Sequence, residues 1–124
     1  MPPLVWNEAD FLRCLEIEPA IDEFREEFVY SVSKDGIRLV LSVYPLVGDI
    51  DIQVIRDGVE RPIIDFRLNQ CSGTTFVCDS RGEFLEFAPA QVFGNHFVRD
   101  YLIPVGVRVS VKPTICIEVF TRTT

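Results

Sequence analysis

The sequence predicts a β-rich α+β fold: a single curved antiparallel sheet, or a half-barrel or sandwich, covered by an N-terminal helix and a short helical or loop segment near 89–101. Apolar and polar residues alternate along most of the chain after residue 24, which is typical of strands with one buried face. Turns that contain glycine separate the alternating runs. With 124 residues, the chain is expected to form one domain over 1–124.

The N-terminal segment is the part of the chain with helical spacing. Asn7 is a suitable N-cap, and acidic residues follow it in the first turn, where the helix macrodipole favours them. Phe11, Leu12 and Leu15 form the expected apolar stripe. Pro19 predicts that the helix ends near 16–18, because the residue before a proline disfavours helical geometry.

Eight strand-like runs follow the helix. They cover 24–33, 37–43, 50–54, 64–68, 76–79, 83–87, 107–111 and 115–119. Asp35-Gly36 and Asp57-Gly58 predict tight hairpins, since these residues tolerate positive φ, and Gly82 marks a third reversal. Short turns favour a curved meander in which chain neighbours pair. The alternation is lost over 89–101, which suits a short helix or a packed loop.

The charge of the chain is concentrated at its beginning. Residues 1–30 contain eight acidic and two basic side chains, and the difference leaves this segment with −6 of the total of −7. Such a surface repels phosphate backbones, so nucleic-acid binding is not expected. The segment is either a solvated face or a surface that steers a basic protein partner.

The rest of the composition argues for a protein of the cytoplasm. No apolar stretch approaches the ~20 residues of a membrane span, and no signal-peptide pattern opens the sequence, so no membrane association is expected. The four cysteines are widely spaced and are expected to be reduced thiols.

Few residues suggest catalysis. His96 is the only histidine, and no nucleophile motif, phosphate-binding loop or dinucleotide fingerprint accompanies it. Cys71, Cys78 and Cys116 with His96 offer the ligand types of a zinc site but lack close cysteine pairs. Small buried thiols explain Cys78 and Cys116 better, since both fall in strand-like runs. Neither a metal nor a cofactor is expected.

The candidate binding residues are acids. Four come from the N-terminal acidic segment and two from one face of a strand-like run: Asp22, Glu23, Glu26, Glu27, Asp49 and Asp51. Asp49 and Asp51 lack the glycine and distal glutamate of a calcium loop. Glu26 falls in line with Phe24 and Phe28 on a face that should be apolar, so the strand bends there or that face is open.

These observations predict a non-enzymatic protein-interaction domain whose acidic N-terminal surface binds a basic protein. In general type the chain is similar to bacterial accessory proteins, including immunity proteins that neutralise basic nuclease toxins. One alternative is a small β-barrel-like pocket protein that binds an apolar ligand, or a minimal hydrolase using His96. Another is a homo-oligomer that pairs through edge strands.

Overall fold

The computed structural model describes residues 4–88 and 105–121, which form one helix and nine strands. The helix is α1 (Glu8–Leu15), and the strands are β1 (Ala20–Ile21), β2 (Phe28–Lys34), β3 (Ile37–Tyr44), β4 (Asp49–Arg56), β5 (Ile64–Leu68), β6 (Gly73–Asp79), β7 (Gly82–Ala88), β8 (Val105–Ser110) and β9 (Cys116–Thr121). The β-rich α+β prediction is confirmed. The predicted cover near 89–101, with His96, lies outside the described residues.

The strands form two antiparallel meanders instead of the one curved meander favoured by the short turns. The first sheet has the order β1-β2-β3-β4-β5 and the second β6-β7-β8-β9. The chain crosses between them at 69–72: the N–H of Cys71 donates to the carbonyl of Gly48 in the first sheet's turn, and that of Ser72 donates to Ala88 at the end of β7. These two bonds anchor the segment between β5 and β6, one to each sheet.

Helix α1 begins and ends as the sequence predicts. The Asn7 side chain accepts a hydrogen bond from the Ala9 N–H at 2.8 Å, and the helix stops at Glu16, whose left-handed backbone lets its N–H bond the Leu12 carbonyl. The buried helical residues are Phe11, Cys14 and Leu15. The expectation for Leu12 was wrong: it is exposed, because it falls off the stripe formed by positions i, i+3 and i+4.

One hydrophobic core joins the helix to both sheets. The Phe11 ring lies 5.2 Å from the Tyr30 ring of β2 and 6.1 Å from the Phe87 ring of β7, measured between centroids. The alternating apolar residues of the central strands point into this core: Leu39, Leu41, Val43, Ile50, Ile52 and Val54 in the first sheet, and Leu85, Phe87, Val107 and Val109 in the second. The predicted buried faces of β3 and β4 are confirmed, whereas β7 and β8 are buried on both faces, because Glu86, Arg108 and Ser110 are also buried.

The hairpin between β2 and β3 has the predicted turn chemistry. Asp35 and Gly36 both have positive φ, at 56° and 80°, as a two-residue type I′ turn requires. The start of β2 differs from the prediction, because the strand begins at Phe28 and residues 22–27 form a loop.

In the described part of the chain, no helix is long and apolar enough to cross a lipid bilayer.

Candidate functional site

Several candidate acids meet at one end of the first sheet, which we call the acidic end. It consists of the loop 22–27, the turn 45–48 between β3 and β4, and the outward side chains of Tyr44, Asp49 and Asp51. The strand register creates this cluster, since Phe28 pairs with Val43 and Tyr44 pairs with Asp49. The beginning of β2 therefore lies beside the turn that joins β3 to β4.

The loop 22–27 is held by the side chain of Asp22. Its Oδ1 accepts hydrogen bonds from the N–H groups of Glu26, at 2.6 Å, and Glu27, at 2.9 Å. Arg25 adopts a left-handed conformation (φ 56°), and its N–H donates to the Asp22 carbonyl. The Asp22 carboxylate thus stabilises the loop backbone, while the loop presents Glu23, Phe24 and Glu26 to solvent.

The turn 45–48 is fixed by Gly48. This residue is buried and has φ 80°, and a Cβ atom added there would lie 2.9 Å from the carbonyl oxygen of Cys71. Its N–H closes the turn by donating to the carbonyl of Tyr44 at 2.8 Å. The turn leaves Leu46 and Val47 at the surface, with 62% and 48% of their area exposed.

A hydrogen bond joins the loop to the sheet. The Tyr44 hydroxyl donates to Oε2 of Glu27 at 2.5 Å. This bond, together with partial desolvation, raises the pKa of Tyr44 to about 12, because ionising the phenol would remove the donor and place a second negative charge beside Glu27. Glu27 is therefore engaged within the protein at neutral pH.

Arg67 occupies the two strand-face acids. Its Nε and Nη2 atoms donate to the two carboxylate oxygens of Asp51, and its Nη1 lies 3.5 Å from Oδ2 of Asp49. The hydrogen bond to Asp51 raises the pKa of Arg67 above its ordinary value. The guanidinium carbon also lies 5.3 Å from the centroid of the Tyr44 ring. Arg67 therefore offsets much of the negative charge of Asp49 and Asp51.

An open pocket of about 300 Å³ lies between the loop and the turn. It is lined by Glu26, Tyr44, Leu46 and Val47. Apolar residues of the turn and an acidic residue of the loop therefore line the same space. Phe24, in the same loop, has 72% of its area exposed, so a second large apolar surface is available nearby.

The six candidate acids have different roles. Asp22 and Glu27 stabilise the loop, and Asp49 and Asp51 pair with Arg67. Among residues 4–88 and 105–121, the carboxylates of Glu23 and Glu26 have no ion pair or hydrogen bond; these two acids are the ones available to a partner.

Sequence reasoning missed the aromatic and apolar members of the acidic end. Arg67 was expected on the same outward face as Asp49 and Asp51, but Tyr44, Leu46 and Val47 were not singled out. One signal was available: two large apolar residues between Pro45 and Gly48 fall in a turn, where burial is uncommon. Nothing local in the sequence indicates that Tyr44 contacts Glu27 or Arg67.

The thiols do not form a cluster. Cys71 is buried, as is Cys14, but Cys78 and Cys116 are exposed, which contradicts their assignment as packed core residues. Both lie on edge strands of the second sheet, β6 and β9, each of which has a neighbouring strand on one side and not on the other. Among the described residues, no group of three or more histidine, cysteine or acidic side chains is placed to hold a metal ion.

Comparison with known proteins gives one informative similarity. No family model matches the chain, and no curated protein matches it. A chain of the solved structure "Contact-dependent growth inhibition toxin - immunity protein complex from Klebsiella pneumoniae 342" superposes with a TM-score of 0.74 at 19% sequence identity. The match covers 97% of this chain and 98% of that chain, so the two share a fold over almost their whole length.

Proposed function

We propose that this protein is a non-enzymatic interaction domain of the immunity type, which acts in the cytoplasm by binding a basic protein toxin. The observation that carries the proposal is the end-to-end fold similarity to a chain from a toxin–immunity protein complex. The net charge of −7 favours the immunity role over the toxin role, because an acidic protein complements a basic partner.

The acidic end is the proposed binding surface. Glu23 and Glu26 project from a loop that is held rigidly by Asp22 and Glu27, so little conformational freedom is lost when a partner binds. Phe24 and Leu46 supply apolar area beside these charges. A surface that combines exposed apolar groups with charges of one sign suits a protein partner, since charge speeds the encounter and apolar contact slows dissociation.

The experiment begins with the tagged chain and lysate of its native host at low salt. The captured protein is identified, purified and titrated against the chain. The variant E23K/E26K reverses the two available acids and leaves the loop supports intact. Its control, E60K/D65K, makes the same change in charge at exposed positions toward the opposite end of the same sheet.

We expect E23K/E26K to weaken binding by at least about tenfold, mainly through a slower association rate, and the control to change it by less than about threefold. Binding by the unaltered chain should weaken steeply between about 50 mM and about 300 mM NaCl, as the charges are screened. Expression of the chain together with the captured protein should restore growth that the captured protein inhibits. Equal affinity of both variants, or a captured protein without toxicity, would contradict the proposal.

Light scattering on the chain alone and on the complex tests the homo-oligomer alternative. A homo-oligomer would pair through an edge strand, and β9 is an edge on which Val119 has 78% of its area exposed. We expect a monomer that forms a one-to-one complex. A dimer that excludes the captured protein would favour the homo-oligomer.

The pocket-protein alternative receives no support from the described residues. It requires a deep cavity lined by phenylalanine, whereas the pocket at the acidic end is open and lined by Glu26, Tyr44, Leu46 and Val47.

A further inference from the structure

We propose that the pocket between the loop 22–27 and the turn 45–48 receives one lysine or arginine side chain of the protein partner. In this arrangement the aliphatic stem of the partner's residue lies on Leu46 and Val47, and its cationic head reaches the carboxylate of Glu26. The inference rests on the proposed function and specifies what the acidic end recognises.

The size of the pocket favours a single side chain. Its volume of about 300 Å³ is at the lower limit of the ~300–1,000 Å³ that small-molecule sites occupy. The pocket is also open to solvent, so a bound group can remain attached to a larger protein. A side chain fits these dimensions better than a free apolar ligand, which needs enclosure on most of its surface.

The lining of the pocket matches an amphipathic cation. Leu46, Val47 and Tyr44 make the lining largely apolar, and Glu26 is its acidic residue. Lysine and arginine combine an apolar stem with a charged head, and they bury the stem when the head can stay solvated or paired. A purely apolar occupant would leave the Glu26 carboxylate partly desolvated without a partner, which is unfavourable.

The neighbouring cations of this chain do not neutralise Glu26. The Arg25 guanidinium is directed away, with its carbon 5.4 Å from the centroid of the Phe28 ring and a terminal nitrogen 3.9 Å from a carboxylate oxygen of Glu8. Arg67 is held by Asp49 and Asp51. Within the described residues, the pocket therefore has a charge that an incoming cation can complement.

The chain already contains an example of the same recognition chemistry. Arg67 lies over the Tyr44 ring while its head pairs with Asp51. This internal arrangement combines an aromatic surface with a carboxylate to hold a guanidinium. The pocket lining contains the same two kinds of residue, the aromatic Tyr44 and the acidic Glu26, with Leu46 and Val47 added.

The test uses the full-length chain, labelled with ¹⁵N, and two blocked peptides. One peptide is Ac-Ala-Leu-Lys-Ala-NH₂, and the other has norleucine in place of lysine, which keeps the aliphatic stem and removes the charge. We expect amide shifts with the lysine peptide to be confined to 23–27 and 44–48. The norleucine peptide should bind about fivefold more weakly, the effect of losing one exposed ion pair.

Variants of the protein locate the two parts of the interaction. Glu26→Gln should reduce affinity for the lysine peptide to that for the norleucine peptide, and Leu46→Ser should weaken both. The matched controls Glu60→Gln and Ile63→Ser change an exposed acid and an exposed apolar residue in the connection 57–63, at the opposite end of the sheet, and should have no effect.

The other outcomes overturn either the inference or the proposed function. Equal binding of the two peptides would identify an apolar site, and shifts centred on 57–63 would place binding elsewhere. Amide shifts that depend on protein concentration without peptide would show that a second copy occupies the pocket. A third outcome is that the peptides cause no amide shifts while the native partner still binds E23K/E26K more weakly than the unaltered chain. That result would refute lysine binding in the pocket and leave the proposed function intact. Binding of the lysine peptide, with no toxin captured from the native host, would refute the proposed function and leave lysine binding in the pocket standing.

Discussion

The guanidinium of Arg108 lies 3.1 Å from the carboxylate of Glu86, and both side chains are buried in the second sheet. They are direct neighbours in the register of β7 and β8. The second terminal nitrogen of Arg108 donates to Glu118 of β9 at 2.9 Å, and the Phe120 ring lies 4.3 Å from the guanidinium carbon. A buried charge held in this way depends strongly on its partner.

Arg108→Met is therefore expected to lower the free energy of unfolding by about 3–5 kcal/mol, since it removes a buried guanidinium that pairs with the Glu86 carboxylate. The double variant Arg108→Met/Glu86→Leu should recover much of this loss. Glu118→Gln is the control, and it should cost less than about 1 kcal/mol because Glu118 is half exposed. Denaturation with urea measures all three variants. An Arg108→Met variant as stable as the control would contradict this account of the pair.

Asp22→Ala is expected to loosen the loop 22–27 without unfolding the protein. The substitution removes the oxygen that accepts from the Glu26 and Glu27 N–H groups, and comparable capping losses cost about 0.5–2 kcal/mol. Hydrogen exchange at these two amides should accelerate, whereas exchange in β3 and β4 should change little. Glu23→Ala, in the same loop, is the control, since its carboxylate is solvent-exposed. Unchanged exchange in Asp22→Ala would show that the loop is held by other contacts.

The thiols should divide into two classes of reactivity. Burial raises the pKa of Cys14 to about 11 and that of Cys71 to about 12, so both remain protonated and shielded at pH 8. Cys78 and Cys116 are exposed. A thiol reagent at pH 8 should therefore modify two cysteines rapidly in the native protein and all four after denaturation, and Cys78→Ser should lower the rapid count to one. Rapid modification of all four native thiols would contradict the placement of Cys14 and Cys71.

Local patterns predicted the hairpin between β2 and β3, because the information lies within a few residues. The tight hairpin predicted at Asp57-Gly58 was wrong: Gly58 has positive φ but Asp57 does not, and the longer connection 57–63 joins β4 to β5. The positive φ of Asp35 and Gly36 and the alternation on both sides of them determine the turn and its register together. The division into two sheets could not be predicted in the same way. It depends on Cys71 contacting Gly48 and Ser72 contacting Ala88, which are contacts between distant parts of the chain.

The loop 22–27 shows how alternation can mislead. Phe24 and Phe28 are spaced as in a strand, but the side chain of Asp22 binds two backbone N–H groups, and Arg25 adopts left-handed geometry, which ends the extended conformation. The sequence locates the acidic residues along the chain. It could not show which acids are engaged, because Tyr44 and Arg67 reach Glu27 and Asp51 from other strands.

The close approach of Gly48 to Cys71 restricts the backbone of the turn 45–48 but not the side chains at 46 and 47. The carbonyl of Cys71 leaves no space for a side chain at 48, so the backbone of this turn is tied to the crossing that enters the second sheet. Leu46 and Val47 carry no such restriction. Under the proposed function, residues 46 and 47 can therefore change the surface offered to a partner without disturbing the backbone that holds them.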